Sequence, residues 1–386
     1  MTDTEKEEAG DSIVAQLAES VSHFSKDEWN ACAGDANPFV SHEFLTALEK
    51  SASVDSVSGW KSAPVVIRDD QGVLAAAMPS YLKGHSQGEY VFDHHWAQAF
   101  ENAGGRYYPK LQIAAPFSPV PGPRLLLRDE KLALPLLKAA ETLVVQNGLS
   151  SAHATFVEAD QLPYFEQAGW LIRSDSQFHW ENRDYADFDA FLAALSSRKR
   201  KAIRKERRKA NETLEIFSVS GDQITEEHWD VFWEFYQDTG ARKYGQPYLT
   251  RQAFSELSKS MSEKILLIFA VDEGRYIAGA LNIIGADTLY GRYWGTIEDR
   301  PYLHFEICYY QAIEYAITHG MKRVEAGAQG AHKLARGYEP VATWSAHFIA
   351  DPGFRQAIAD FLEREREAVA QDIDFLASMG PFKRSG

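Results

Sequence analysis

Two tandem α+β domains, each a mixed and mostly antiparallel sheet flanked by helices, are what the order of apolar runs and turn signals predicts. The first observation is a repeated plan. One stretch runs through a turn at Asp70-Gln71-Gly72, apolar runs ending at Tyr90–Trp96, a helix closing at Asn147-Gly148 and a strand at Ser151–Val157. The other runs through Asp272-Glu273-Gly274, runs ending at Leu289–Gly295, a helix closing at His319-Gly320 and a strand beginning at Arg323–Ala326. A repeat of about 150 residues is too long for a solenoid unit and describes a duplicated domain. The second observation is size: 386 residues, 45% hydrophobic and 12% aromatic, suffice for two cores. The third is that hairpin-linked runs precede a helix and a further strand in both copies, an order that gives a mixed sheet rather than a doubly wound parallel one.

Taken in order, Met1-Thr-Asp-Thr-Glu-Lys-Glu-Glu opens an acidic stretch, residues 1–20, that reads as a flexible tail without the basic-then-apolar order of a signal peptide. The first domain spans 21–190. Lys26–Gly34 and Ser41–Ser51 read as helices, with Ser41 as a cap after Asn37-Pro38. Ala63–Arg68 and Val73–Pro79 are strands around the turn, Tyr90–Trp96 is expected as a third, and Lys131–Asn147 is an amphipathic helix stopped by Gly148. Ser151–Val157, the short helix Leu162–Ala168 and strands from Trp170 to Trp180 follow. A junction helix is expected over 191–212. In the second domain, 213–386, helices are expected at Glu226–Thr239, Arg251–Met261 and Phe305–His319, and strands at Lys264–Asp272, Tyr276–Ile284, Thr288–Thr296, Arg323–Ala326 and Thr343–Ile349. Pro352–Ser378 reads as a terminal amphipathic helix.

The glycine spacing differs between the copies. The first carries roughly 30 extra residues between third strand and helix, too many for an ordinary connection. That insertion, 97–130, holds Gly104-Gly105-Arg106-Tyr107-Tyr108-Pro109-Lys110 and a proline-stiffened run from Ala115 to Arg124. It has the character of a binding loop, with Tyr108, Lys110 and Arg124 as its polar set, or of a flap over a sheet edge.

Composition excludes several classes. The net charge of -15 argues against a broad nucleic-acid or DNA coat while leaving room for one local basic site. Only Cys32 and Cys308 are present, far apart, so no disulfide framework or metal site is indicated and a reducing, cytoplasmic location is expected. No apolar run reaches the roughly 20 residues of a membrane span.

Four segments carry chemistry. Gly327-Ala-Gln-Gly-Ala-His-Lys-Leu-Ala-Arg-Gly337 follows a strand at its carboxyl end, where ligands gather in sheets with helical crossovers. Gly327 and Gly330 allow backbone amides to approach a phosphate or carboxylate, Lys333 and Arg336 supply a cationic rim, and Gln329 adds a polar contact; the plain alternative is a turn with solvated charges. Glu306, His332 and Tyr310 are the candidates for proton transfer, and His304 is a candidate substrate contact. Glu306 is equally a first-turn helix acid, only one of Tyr309 and Tyr310 is expected to enter the site, and Cys308 reads as core. Arg198–Lys209 has nine basic residues and one acid in twelve positions; Arg200 and Arg204 are its candidate phosphate ligands, against a solvated linker helix. Tyr290-Gly-Arg-Tyr-Trp-Gly295 places Arg292 and Trp294 on one strand face as a substrate wall, or forms an ordinary half-buried strand.

The order of elements looks like a tandem of the acyltransferase fold of Gcn5-related N-acetyltransferases, as duplicated in Fem-type peptidyltransferases. More narrowly, Tyr108–Arg124, the basic stretch Ser197–Arg208, and His304-Phe-Glu-Ile-Cys-Tyr-Tyr310 with Gly327–Pro340 resemble the FemAB-like family of bacterial peptidoglycan-biosynthesis or N-acetyltransferase proteins. The resemblance runs from about Asn37 to Asp351. It implies transfer of an acyl or aminoacyl group to an amine, with the donor as cosubstrate and no bound cofactor. The acceptor would be a small-molecule or nucleotide-linked amine, such as a cell-wall precursor. Members that use acetyl-CoA hold its pyrophosphate in a glycine-rich loop before the helix. Here that place holds Glu298-Asp-Arg-Pro-Tyr-Leu-His-Phe305, with two acids and no glycine, which favours the branch that uses aminoacyl-tRNA over acyl-CoA. An acyl-CoA-dependent N-acetyltransferase and a non-catalytic binder of a nucleotide-linked precursor or RNA are the alternatives.

Overall fold

In the computed structural model, residues 14–243, 247–327 and 330–383 are described. The first described element is an edge strand, β1 (Ala15–Leu17), antiparallel to β3 (Val65–Arg68), so strand pairing falls inside the segment expected to be a tail. Helices α1 (Lys26–Ala33) and α2 (His42–Lys50) follow, the second capped by Ser41, whose hydroxyl accepts from Phe44 N. After β2 (Trp60–Ser62), β3 pairs with β4 (Leu74–Met78) across the predicted hairpin; past Pro79 the chain continues as β5 (Ser80–Lys83), which joins a different sheet.

Tyr90–Trp96 is not a strand: the strand that follows and pairs with β5 is β6 (Lys110–Ile113), and α3 (His94–Asn102) starts inside the predicted run, burying Trp96 and Ala97. The aromatic spacing of Tyr90, Phe92 and Trp96 imitated alternation, yet Phe92 is 59% exposed. The stretch read as an insertion thus contains a central strand, and the extra residues fall on both sides of it. After the short β7 (Leu126–Leu127), α4 (Ala133–Gln146) crosses to β8 (Ser151–Val157), which runs parallel to β6. Then come α5 (Leu162–Gln167) and the long β9 (Leu171–Glu181).

Next, α6 (Phe188–Ala194) and the basic α7 (Ser197–Ala210) lead to β10 (Glu215–Ser220), a strand the sequence reading missed. The second copy follows with α8 (Glu226–Lys243), α9 (Arg251–Met261), β11 (Ile265–Asp272), β12 (Arg275–Ile284) and β13 (Thr288–Thr296). Its crossover helix is composite: α10 (Leu303–Phe305), a π turn at Glu306–Tyr310 and α11 (Gln311–Thr318). Strands β14 (Arg323–Glu325) and β15 (Glu339–Ile349) and the terminal α12 (Pro352–Ser378) complete the chain.

The copies do not keep separate sheets. Among the described residues eleven strands form one sheet in the order β10-β11-β12-β13-β14-β9-β15-β8-β6-β5-β2. The last strand of the first copy, β9, pairs with β14 of the second, and the last strand of the second, β15, pairs with β8 of the first. Each half therefore lends a strand to the other, and β9 and β15 pair together along nine residues. Helices α1 and α2 share an apolar core with α8 and α9, where Trp29, Phe39 and Phe44 pack with Trp229, Phe232 and Phe254.

The exchange builds a buried polar stripe. Side chains on one strand face recur every second residue, so Lys110 and Gln112 of β6, His153 and Thr155 of β8, Ser345 and His347 of β15, and Gln177 and His179 of β9 lie on one face. Register continues the row to Glu325 of β14, opposite His179. All are buried. The opposite face, with Phe178, Trp180 and Val324, carries α7 and the π turn.

Candidate functional site

Helix α7 and the segment after β14 meet over the π turn. Glu306 begins that turn, is fully buried, and receives Arg207 Nε at 3.1 Å, Arg207 Nη2 at 2.9 Å and Gln311 Nε2 at 2.8 Å. Its carboxylate is tied to the basic helix, which makes it a fastening of α7 rather than an available base. Arg207 also reaches Glu314 at 2.7 Å and stacks 4.4 Å from the Phe188 ring centroid.

One turn along, the Tyr310 hydroxyl donates to Glu206 of α7, whose Oε2 also takes Arg336 Nη2 at 2.8 Å. Arg336 lies 3.4 Å from the Phe305 ring centroid and donates through Nη1 to His332 O at 2.8 Å. Burial pushes the Tyr310 hydroxyl well up, so it stays a proton donor. The extra residue of a π turn sends Tyr309 elsewhere, as expected for neighbours on a helix: its hydroxyl shares a 2.8 Å hydrogen bond with Nε2 of the exposed His332. The His304 ring centroid lies 4.8 Å from that of Trp294, tilted, and 6.0 Å from that of His332, edge-on.

The glycine segment adopts the left-handed geometry its composition predicted. Gly327, Gly330 and Gly337 have φ of 76°, 125° and 89°, and a Cβ on Gly330 would stand 2.6 Å from the His332 ring. Lys333 is placed otherwise than expected. Its ammonium is buried and donates to Ala326 O at 2.6 Å and Gly327 O at 2.7 Å, and burial lowers it to about 8. It holds the loop's carbonyls instead of offering charge to an anion. Gln329 lies outside the described residues.

Between α7 and the Ala331–Arg336 turn is a cavity of about 180 Å³ lined by Arg198, Lys199, Ile203, Glu206 and Arg336. Of the two expected phosphate ligands, Arg204 pairs on the surface with Asp189 at 2.8 Å and Arg200 is half-buried; neither lines the cavity. A larger groove of about 770 Å³ under α12, lined by residues such as Trp170, Trp344, Leu362 and Val369, holds none of the candidate residues.

Arg292 and Trp294 do not form one wall. The β12–β13 register slips so that Asn282 faces Gly291 and Leu281 faces Tyr293, leaving Arg292 as a bulged extra residue. A bulge breaks alternation. Arg292 accordingly turns with Tyr290 toward the first-half helices, 5.7 Å from the Phe39 ring centroid, while Trp294 packs with His304 on the other face. Arg292 Nη2 donates to Phe117 O at 2.9 Å, joining the proline-rich loop to the second copy.

That loop's own polar set is structural. Arg124 is buried and donates to Thr155 O and Val120 O, each at 2.7 Å. Burial lowers it to about 10. Lys110 is buried against Asp93 at 2.5 Å, Ser86 Oγ at 2.8 Å and Glu89 at 3.3 Å, and the Tyr108 hydroxyl shares a 2.8 Å bond with Ser86. None of the three reaches the π turn's partners.

Sequence reasoning missed Glu325. Burial raises its carboxyl to about 8 against the pull of Arg323 and Arg292, and Oε2 has no hydrogen-bond partner. A lone acid ending a three-residue strand gives little signal; only register places it opposite His179.

The place of the acetyl-CoA loop is filled by the protein's own ion pairs: Glu298 binds Arg275 and Arg300, and Arg300 also binds Asp272. Among the described residues no helix is long and apolar enough to cross a membrane, and no His, Cys, Asp and Glu group is arranged to hold a metal ion.

Comparison with known proteins fits this architecture. The fold matches that of FemX with a TM-score of 0.55 at 13% identity, covering 89% of this chain and 100% of that one. It also matches the C-terminal domain of a putative lysylphosphatidylglycerol synthetase from Agrobacterium fabrum, with a TM-score of 0.54 at 10% identity over 88% and 94% of the two chains. L-PGS from Bacillus licheniformis matches with a TM-score of 0.51 at 9% identity over 85% and 98%. Such identities establish the fold alone. No curated protein matches the chain. A family model described as peptidoglycan biosynthesis/recognition matches residues 20–384, so the chain belongs to the FemAB-like family.

Proposed function

We propose that the protein transfers an aminoacyl group from tRNA to a primary amine of a nucleotide-linked cell-wall precursor. The observation that carries this reading is the convergence of α7 with the Ala331–Arg336 turn around the cavity lined by Arg198, Lys199 and Arg336. Cations around a small cavity on a helix with nine basic residues suit a donor that is itself a polyanion. The ion-paired, glycine-free segment at 298–305 supports tRNA over CoA as the carrier.

Within this reading Arg198, Lys199 and Arg336 hold the donor's terminal phosphates. Trp294 and His304 form the wall beside the acyl group. The exposed His332, paired with Tyr309, returns a proton to the departing ribose oxygen. Arg207 with Glu306, and Glu206 with Tyr310, keep the two sides of the cavity at a fixed separation.

Total tRNA charged with labelled amino acids, mixed with a nucleotide-linked muropeptide and the purified protein, tests the proposal. Label appearing in the muropeptide supports it. No transfer from any charged tRNA, together with saturable acetyl-CoA binding by calorimetry, overturns it in favour of an acyl-CoA-dependent enzyme.

A further inference from the structure

Helix α7 carries one acid among its nine bases, and that acid, Glu206, lines the small cavity. Lys199, Ile203 and Glu206 recur at the spacing of one helix face and turn toward the Ala331–Arg336 segment. Lys199 and Glu206 stand about 10 Å apart along the helix axis. Arg198 and Lys199 therefore make one end of the cavity cationic, Glu206 puts an acceptor toward the other, and Ala202 and Ile203 form an apolar wall between them.

Polar groups at both ends are left incomplete. Glu206 Oε2 accepts from the Tyr310 hydroxyl and from Arg336 Nη2 at 2.8 Å, which fixes the carboxylate, whereas Oε1 receives no hydrogen bond among the described residues. Arg336 is 6% exposed and spends Nη1 on His332 O and Nη2 on Glu206; its buried Nε has no partner. Among the described residues Arg198 and Lys199 have no ion-pair partner, unlike Arg204 and Arg207 of the same helix. Folded proteins seldom leave buried polar atoms unmet, and a ligand is one way of meeting them.

Charge decides what kind of group completes Glu206. Three cations, Arg198, Lys199 and Arg336, against one acid leave the cavity positive before a ligand enters. An ammonium at Oε1 would add to that excess within a Debye length of all three. A hydroxyl donates without adding charge, and a phosphate at the cationic end offsets part of the excess. A sugar phosphate carries both groups. The volume of about 180 Å³ is below the roughly 300–1,000 Å³ of pockets that enclose a whole drug-sized ligand, and suits one such unit with its base outside.

Resting on the tRNA-donor reading above, we infer that Glu206 sets the specificity for the donor's terminal ribose: its Oε1 accepts the 2′-hydroxyl, while Arg198 and Lys199 hold the phosphate of the same nucleotide. Tyr310 and Arg336 keep the carboxylate in place for that contact. The 2′-hydroxyl is the group by which a protein tells RNA from DNA at a given position. The site accordingly takes a ribose-ended carrier and discriminates against a 2′-deoxyribose-ended one.

Two single-stranded oligonucleotides test the assignment: a hexaribonucleotide with a tRNA 3′ end, and the same molecule with 2′-deoxyribose at its last nucleotide. Wild type is expected to bind the first about tenfold more tightly, the worth of one hydrogen bond to a charged acceptor. E206Q keeps a carbonyl oxygen for Tyr310 and Arg336 but loses the charged acceptor, so the ratio is expected to fall toward one with affinity for the deoxy-ended oligonucleotide unchanged. Equal binding of the two by wild type, or an undiminished ratio in E206Q, overturns the ribose contact and leaves the tRNA donor standing. Binding of neither by wild type refutes the donor reading, and the ribose contact with it. A second measurement reads the carboxylate itself. In wild-type protein carrying carboxyl-labelled glutamate, the ¹³C signal of Glu206, identified by its absence from E206Q or E206D, is expected to move with the ribose-ended oligonucleotide and much less with the deoxy-ended one; equal movement with both overturns the contact.

Discussion

Nδ1 of His153 lies 2.7 Å from Nδ1 of His347, a hydrogen bond between residues 194 apart that exists only because β15 of the second half lies beside β8 of the first. One ring donates and the other accepts, so the two cannot both be protonated at Nδ1. Burial holds His153 down at about 3 and His347 well below its ordinary value, and each would repel the other's charge.

Acid should therefore loosen the exchange. Above the ordinary histidine value of about 6.5 neither folded nor unfolded chain protonates these rings; below it the unfolded chain binds protons that the folded chain refuses. The pair's contribution is whole above pH 6.5 and is lost as pH falls toward 3. The urea midpoint is expected to drop between pH 7 and pH 5, and to drop less in His347→Phe. Equal drops in both proteins would refute this account.

Arg207→Ala should cost about 3 kcal/mol or more, because it leaves the fully buried Glu306 carboxylate uncompensated. Adding Glu306→Gln should recover part of that loss. Urea unfolding of the wild type, the single variant and the double variant reads both effects, and additive losses would show that the pair does not fasten α7 to the π turn.

Replacing Arg198 and Lys199 together by Gln removes two cations from the cavity without disturbing the Glu206–Arg336 contact. Affinity for tRNA should fall about tenfold at moderate salt. The slope of log affinity against log salt should become shallower by about 1.4, the counterions of two phosphates on a single strand. Unchanged slope in a binding titration would place the tRNA elsewhere.

Glu325 also leaves a mark on stability. Its folded value is raised from about 4.5 to about 8, so the folded chain holds a proton that the unfolded chain has lost. The associated stability is whole below pH 4.5 and disappears as pH rises through 8. Glu325→Gln keeps the neutral form at every pH, and its melting temperature should fall less than that of wild type between pH 5.5 and pH 8.5. Parallel curves would mean that the carboxylate is ionised throughout.

Much of the architecture was legible because it rests on local signals. Thr288–Thr296, Arg251–Met261 and Pro352–Ser378 are observed with the bounds their periodicity predicts, and the left-handed Gly148, Gly274 and Gly320 sit at the turns where glycine was expected to stop or reverse the chain. The failures have a common physical cause. Tyr90–Trp96 has the composition of a strand but no partner to complete one, and β6 was passed over because Lys110 and Gln112, polar residues, occupy its buried face. Alternation signals a strand when one side faces water; the polar stripe removes that contrast.

The candidate site was legible in kind and not in arrangement. The basic helix, the glycine segment and the acid, tyrosines and histidine near 306–332 were all evident, and Glu306, Tyr310 and Arg336 do converge on α7. That Lys333 and Arg124 spend their charge on backbone carbonyls was not evident, since a buried and an exposed cation look alike in a sequence.

By itself the sequence determined most of the elements, because helix and strand periodicity, caps and left-handed glycines act within a few residues of one another. Only the tertiary structure decided that β9 and β15 change places, that a bulge turns Arg292 away from Trp294, and that Glu325 is buried opposite His179. Those outcomes depend on which strand edges meet and in what register, a choice made by burial and hydrogen bonding between segments far apart in the chain.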